Sequence, residues 1–241
     1  MIPIDKYLRQ IYNINTILYK EKKMANYDRL IELDEKIKER YPNKVVLDGV
    51  VNHNIFIKKS PKILWILKEA NASEDAFKNE VFELNASLDE DVTAHDNWKS
   101  TWGLVMEISY SIFHKAKVWE EEVPLVDVLA KEGTIKNIAI INVKKPGGGS
   151  VSDQGVINEY YKKDKDIILA QIEAIAPDII INCSRVDALF NDIRTTEPNK
   201  VNQFYIANFK NGIIINAYHP NNREIKHEQY FINIRDCLNQ G

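Results

Sequence analysis

Four short apolar runs, Ile63–Leu67, Ile138–Val143, Ile179–Ile181 and Ile213–Ile215, restrict the fold of this chain more than any other feature. None of them alternates apolar with polar residues, as a strand wetted on one face would. Continuous runs of this length fit parallel strands covered by helices on both faces. Segments with helical spacing separate the runs, so strand and helix alternate, and the expected fold is a three-layer α/β/α sandwich around a central parallel four-stranded sheet. Ligands of such sheets bind beyond the carboxyl ends of the strands, where the connecting loops diverge. That rule gathers Lys68, Glu69, Asn71, Asn142, Lys144, Lys145, Ser184, His219, Asn221 and Arg223 at one rim.

Between the runs the pattern is mostly helical. Ile4, Leu8, Ile11, Ile14, Ile17 and Leu18, then Leu30, Leu33 and Ile37, predict two amphipathic helices in an extension over residues 1–43, ended by Tyr41-Pro42. Val45–Val51 and Asn54–Lys58 read as a short strand pair at the sheet edge. Ser73-Glu74-Asp75 reads as a helix start, with Phe77, Val81 and Phe82 on one face, and Asn85–Asp96 as a loop. From Trp98 onward, Trp102, Val105, Met106, Ile108, Ile112 and Phe113 mark a strongly apolar helix. Gly147-Gly148-Gly149 follows the second run and serves either as a hinge or as a place where backbone approaches a ligand. Further helices are expected over Tyr160–Ile175, over Val186–Ile193 with Ser184 as its cap, and over Lys226–Leu238. Gln203–Asn208 reads as one more strand, joined to the last run by a turn at Asn211-Gly212.

Composition removes several function classes. A chain of 241 residues with 44% hydrophobic and 28% charged residues can bury one large core, and a single domain over 1–241 is expected. Net charge is −3, which argues against a strongly basic nucleic-acid coat and leaves room for a local basic cleft. The two cysteines, Cys183 and Cys237, form no Cys-x-x-Cys pattern, so neither a disulfide framework nor a cysteine-ligated metal is expected. No nucleoside-triphosphate loop or dinucleotide fingerprint is present, and no metal or cofactor is expected. Without a signal-peptide core or a membrane-length apolar run, the expected location is the cytoplasm, with no membrane partner.

Three of the rim loops resemble the uracil-DNA glycosylase superfamily, most closely its family 4. Lys68-Glu69-Ala70-Asn71 is similar to that family's Gly-Glu-Ala-Pro motif, Asn142-Val143-Lys144-Lys145-Pro146 to its Asn-Val-Val-Lys segment, and His219-Pro220-Asn221 to its His-Pro-Ser or His-Pro-Ala. The order and strand context agree over roughly residues 45–235. The resemblance implies a hydrolase that cleaves the N-glycosidic bond of an extruded base, with uracil in single-stranded or locally opened DNA as the expected substrate. His219 then stabilises charge on the departing base, and Glu69 positions water or the cationic sugar. Asn142 reads the base edge, Lys144 and Lys145 meet phosphate, and Arg223 meets phosphate or enters the gap that the extruded base leaves.

The chain also departs from the family. Lys68 stands for a glycine, Asn71 for the proline, and the iron–sulfur cysteines have no counterparts; Phe77 is the candidate stacking aromatic. These departures keep a second reading open, a non-catalytic member that binds a nucleobase, nucleotide or nucleic acid at the same rim. Structural roles compete at each position too: His219 as a turn residue, Glu69 paired with Lys68, Asn142 satisfying a strand end, and Lys144 and Lys145 in a solvated loop.

Overall fold

The computed structural model of the chain describes residues 26–71, 81–95, 98–149 and 151–240. The helix expected over residues 4–18 and the helix start at Ser73–Phe77 lie outside them. Helix α1 (residues 26–40) leads to strands β1 (Val45–Leu47) and β2 (Gly49–Val50), helix α2 (His53–Phe56) and strand β3 (Ile63–Asn71). Next come β4 (Val81–Glu83), α3 (Leu84–Asp91), a π turn at Lys99–Gly103, α4 (Leu104–His114), α5 (Trp119–Glu122), α6 (Val126–Lys131) and β5 (Ala139–Gly148). The chain then forms α7 (Gln154–Ile175), β6 (Ile179–Asn182), α8 (Asp187–Ile193), β7 (Asn199–Val201), β8 (Phe204–Phe209), β9 (Gly212–Asn216) and α9 (His227–Leu238).

The four apolar runs become neighbours in the order β5-β3-β6-β9, each pair parallel. Both faces of these strands are covered. Along β3, Ile63, Trp65 and Leu67 pack with α4 and α9 through residues such as Met106, Ile108, Phe231 and Ile234. Leu64 and Ile66 pack instead with α7 and α8 through Ile168, Ile172, Leu189 and Phe190. Because successive side chains point to opposite faces, two covered faces require an unbroken apolar run. Trp65 is fully buried, and its indole N–H donates to Ser109 Oγ on α4 at 3.0 Å, so the ring brings no unpaired donor into the core.

The sheet is larger than four strands. Among the described residues it has nine, and it is mixed: β8 runs antiparallel to β9, β7 to β8, and β1 and β2 to β5, while β4 extends β1 in parallel. Other expectations are also corrected. Asn54–Lys58 is no strand; Asn52 accepts the Ile55 N–H at 3.1 Å and starts α2 instead. Val81 and Phe82 belong to β4 rather than to a helix, since they pair with the buried Val45 and Val46 of β1. Asn85–Asp91 is helical, with Leu84 and Leu88 buried one turn apart. Ser184 does not cap α8, whose N-cap is Val186; the Ser184 hydroxyl accepts the Val186 N–H at 3.2 Å in the turn before it.

A buried charge seats the β1–β2 edge. Asp48 lies between those strands, just before Gly49, whose φ of 142° is a conformation that only glycine adopts freely. Its carboxylate accepts from the Asn142 N–H (2.7 Å), from Asn142 Nδ2 (3.2 Å), from Gln171 Nε2 (3.2 Å) and from Lys145 Nζ (2.7 Å). The Asp48 and Lys145 side chains are both completely excluded from solvent. Such a pair tolerates joint replacement far better than loss of one member. Lys145→Ala or Asp48→Ala is therefore expected to lower the unfolding free energy by about 3–5 kcal/mol, and Asp48→Leu combined with Lys145→Met by much less, as read by urea denaturation. Equal losses in all three variants would remove the ion pair from this account.

Candidate functional site

The loop after β9 is built to hold one imidazole. Asn182 Nδ2 donates to Asn216 Oδ1 at 2.9 Å and the Ala217 N–H to Asn182 O at 2.9 Å, so the ends of β6 and β9 are tied together. From α9, Tyr230 donates its hydroxyl to Tyr218 O at 2.8 Å. Downstream, Asn222 accepts the backbone N–H groups of Glu224 and Ile225 and donates to His219 O at 3.0 Å, the kind of local bonding that makes asparagine a turn residue.

Within this frame the Asn221 N–H donates to His219 Nδ1 at 3.2 Å. Since that nitrogen accepts, the single proton of the neutral ring resides on Nε2. Burial first, and then the nearby Lys68 charge, push the His219 pKa down to about 4. The ring is thus neutral near pH 7 and offers one N–H donor, with no hydrogen-bond partner for Nε2 among the described residues. Lys68 is itself shifted down, by burial first and then by Arg185, with Glu69 acting in the opposite direction.

Glu69 is held elsewhere. It sits opposite Lys144 in the β3–β5 register, and its carboxylate is ion-paired with the Lys144 ammonium, not with Lys68. Lys144 also donates to Gly147 O at 3.2 Å and lies 5.6 Å from the centre of the Tyr160 ring. The Glu69 side chain is 6% exposed and packs into the notch left by Gly148, where an added Cβ would overlap the carboxylate. Gly147 and Gly148 accordingly continue β5 and accommodate a side chain of the chain itself. The hinge expected at these two glycines is corrected.

The remaining rim residues divide by burial. Asn142, Lys145 and Ser184 are buried: the first two engage Asp48, and the Ser184 hydroxyl donates to Asn182 Oδ1 at 2.7 Å. Lys145 therefore makes no phosphate contact, and the Asn142 –NH2 is already used. Asn71, Asn221 and Arg223 are exposed, Asn71 at the end of β3 opposite Gly148. Phe77 lies outside the described residues.

Sequence reasoning passed over Asp48, Arg185 and Tyr218. Arg185 directly follows Ser184 beyond the third apolar run, and its guanidinium lies 5.8 Å from the Tyr218 ring centre. Position at a strand end was the signal that could have marked both. Among the described residues no cluster of three or more His, Cys, Asp or Glu is placed to hold a metal ion. Burial pushes the Cys183 thiol up to about 12, which keeps it protonated and unreactive. No helix among the described residues is long and apolar enough to cross a membrane. Neither a known protein-family model nor a curated protein matches the chain.

Two outcomes follow from this geometry. In an NMR titration, His219 stays neutral down to about pH 4 with its proton on Nε2, and Lys68→Met raises its pKa. Because the folded value lies below the ordinary 6.5, this histidine lowers stability only as pH falls from about 6.5 toward 4 and has no effect above that range. A His219 pKa near 6.5 would contradict the burial argument. Separately, Gly148→Ala is expected to expel the Glu69 carboxylate from its notch, read as a Glu69 side-chain chemical-shift change at retained fold.

Proposed function

We propose that this chain has a uracil-DNA glycosylase-type fold and recognises a nucleobase-bearing ligand, DNA with an extruded base foremost, at the rim formed by Lys68, Arg185 and His219. The observation that carries this reading is the neutral, Nε2-protonated imidazole fixed beside a lysine at the carboxyl edge of a parallel sheet. A neutral donor suits a base oxygen that carries partial negative charge, and Lys68 and Arg185 favour the phosphates around it.

Recognition without cleavage is the better-supported form of this function. Hydrolysis of an N-glycosidic bond needs an acid-derived group near the sugar or the attacking water. Glu69 is neutralised by Lys144 and nearly closed off from solvent. The second reading, hydrolysis of a uracil N-glycosidic bond, is supported by His219 itself, since the donor that binds a base oxygen also stabilises the departing anion.

The test uses a labelled single-stranded oligonucleotide carrying one uracil, followed for binding by anisotropy and for cleavage by abasic-site formation. Binding that His219→Ala weakens about 10-fold, without abasic sites, is the expected result; one buried hydrogen bond has this magnitude. Abasic sites that disappear by about 100-fold or more in His219→Ala or Glu69→Gln would establish hydrolysis instead. Absence of both binding and cleavage would discard the reading.

A further inference from the structure

Beside the His219 loop, a cleft of about 170 Å3 opens where the loop after β6 meets the ends of β8 and β9. Arg185, Asp187, Gln203, Tyr205, Asn216 and Tyr218 line it. Its volume falls below the roughly 300 Å3 at which drug-sized sites begin, so it takes up a single heterocycle, and any larger ligand extends out of it.

The lining has the chemistry of a polar planar ring. Tyr205, on β8, is 41% exposed and stands between Lys200 of β7 and Asn216 of β9, in register with both. The Lys200 ammonium lies 5.9 Å from its ring centre. Tyr218 carries the Arg185 guanidinium over its ring and meets Phe204 edge-on, with ring centres 5.8 Å apart. Two amides are oriented by their neighbours. Gln203 Oε1 accepts from Asn233 at 3.1 Å and Asn216 Oδ1 from Asn182 at 2.9 Å, which leaves each –NH2 as the free end. Asp187 supplies an acceptor. Arg185 itself is pinned, its backbone at a φ of 57° and its carbonyl and that of Ser184 accepting from Gln154 Nε2 at 3.0 and 3.2 Å.

We propose that this cleft is a subsite for one unpaired base of a single nucleic-acid strand, stacked against Tyr205 and Tyr218, with Arg185 and Lys200 facing the flanking phosphates. Aromatic platforms flanked by cations bind single strands in this manner, and the amides and carboxylate read the hydrogen-bonding edge of the base. The inference rests on the reading of the His219 rim as a nucleobase site. Tyr218 and His219 are successive residues, about 3.8 Å apart at Cα, so one continuous strand can occupy both positions. Cations beside both tyrosines, Arg185 and Lys200, favour a base with a phosphate on either side over a lone nucleotide.

Binding of a fluorescein-labelled oligothymidylate hexanucleotide to the full chain tests this. Tyr205→Ala is expected to weaken it by about 5- to 100-fold, the loss typical of one stacked base, and Lys200→Gln to weaken it by less, with Tyr205→Phe close to wild type. Thermal melts establish that each variant remains folded, and Tyr205, partly exposed, is the substitution least coupled to the core. If both variants bind as wild type while His219→Ala does not, the subsite is wrong and the rim reading survives. If the two variants weaken binding and His219→Ala leaves it unchanged, the cleft binds a strand on its own and the rim reading falls. Competition by thymidine monophosphate at the affinity of the hexanucleotide would overturn the strand assignment in favour of a free nucleotide. A hexanucleotide that does not bind at all overturns the proposal.

Discussion

Burial of β3 on both faces is the constraint from which the rest of the structure follows. Between Ile63 and Leu67 no side chain reaches water, and each neighbouring strand, β5, β6 and β9, is closed in the same way over its central residues. A polar group in the middle of that layer would need a partner or cost several kcal/mol. Polar residues therefore collect where the strands end. At the carboxyl edge, Lys68, Glu69, Lys144, Ser184, Arg185 and His219 all arrive within a few residues of an apolar run, and the loops there inherit the donors that the core excludes.

Adjacent residues nonetheless meet opposite fates, and this decides what the edge can do. Lys144 and Lys145 follow one another on β5, so their side chains take different directions. Lys144 neutralises Glu69 near the rim, whereas Lys145 turns inward to Asp48 with no exposure at all. The pair at Asp48 fixes the short edge strands, a structural role, because the same carboxylate also bonds the Asn142 backbone N–H. Hydrophobic pattern and charge count treat the two lysines as equivalent. Only the register of β1 and β2 on β5 separates them.

That contrast measures how much was legible. The parallel strands, their flanking helices α4, α7 and α9, and the location of His219 at a strand end follow from apolar periodicity, which local sequence carries directly. What was lost depends on partners distant in sequence. Val81 and Phe82 read as a helical face because their strand character comes from β1, some thirty-five residues away. Gly147 and Gly148 read as a hinge or a ligand contact because the side chain that fills the notch at Gly148 belongs to Glu69 on another strand. Asp48 was passed over because inside the Val45–Val51 strand segment nothing marks it until Lys145 and Gln171 are brought against it.

The electrostatic consequence is a rim whose sign the whole-chain charge conceals. Net charge is −3, yet at the carboxyl edge the carboxylate of Glu69 is cancelled by Lys144, and Asp48, deeper, by Lys145. Burial disfavours the charge of Lys68, and Arg185 lies close enough to disfavour it further. An anion that enters beside Lys68 and Arg185 relieves this repulsion, whereas His219, kept neutral by burial and the same lysine, adds a hydrogen bond without adding repulsion. A ligand that combines a carbonyl-bearing ring with phosphate satisfies both demands at once. A purely apolar ligand satisfies neither, and a cationic one is opposed by both.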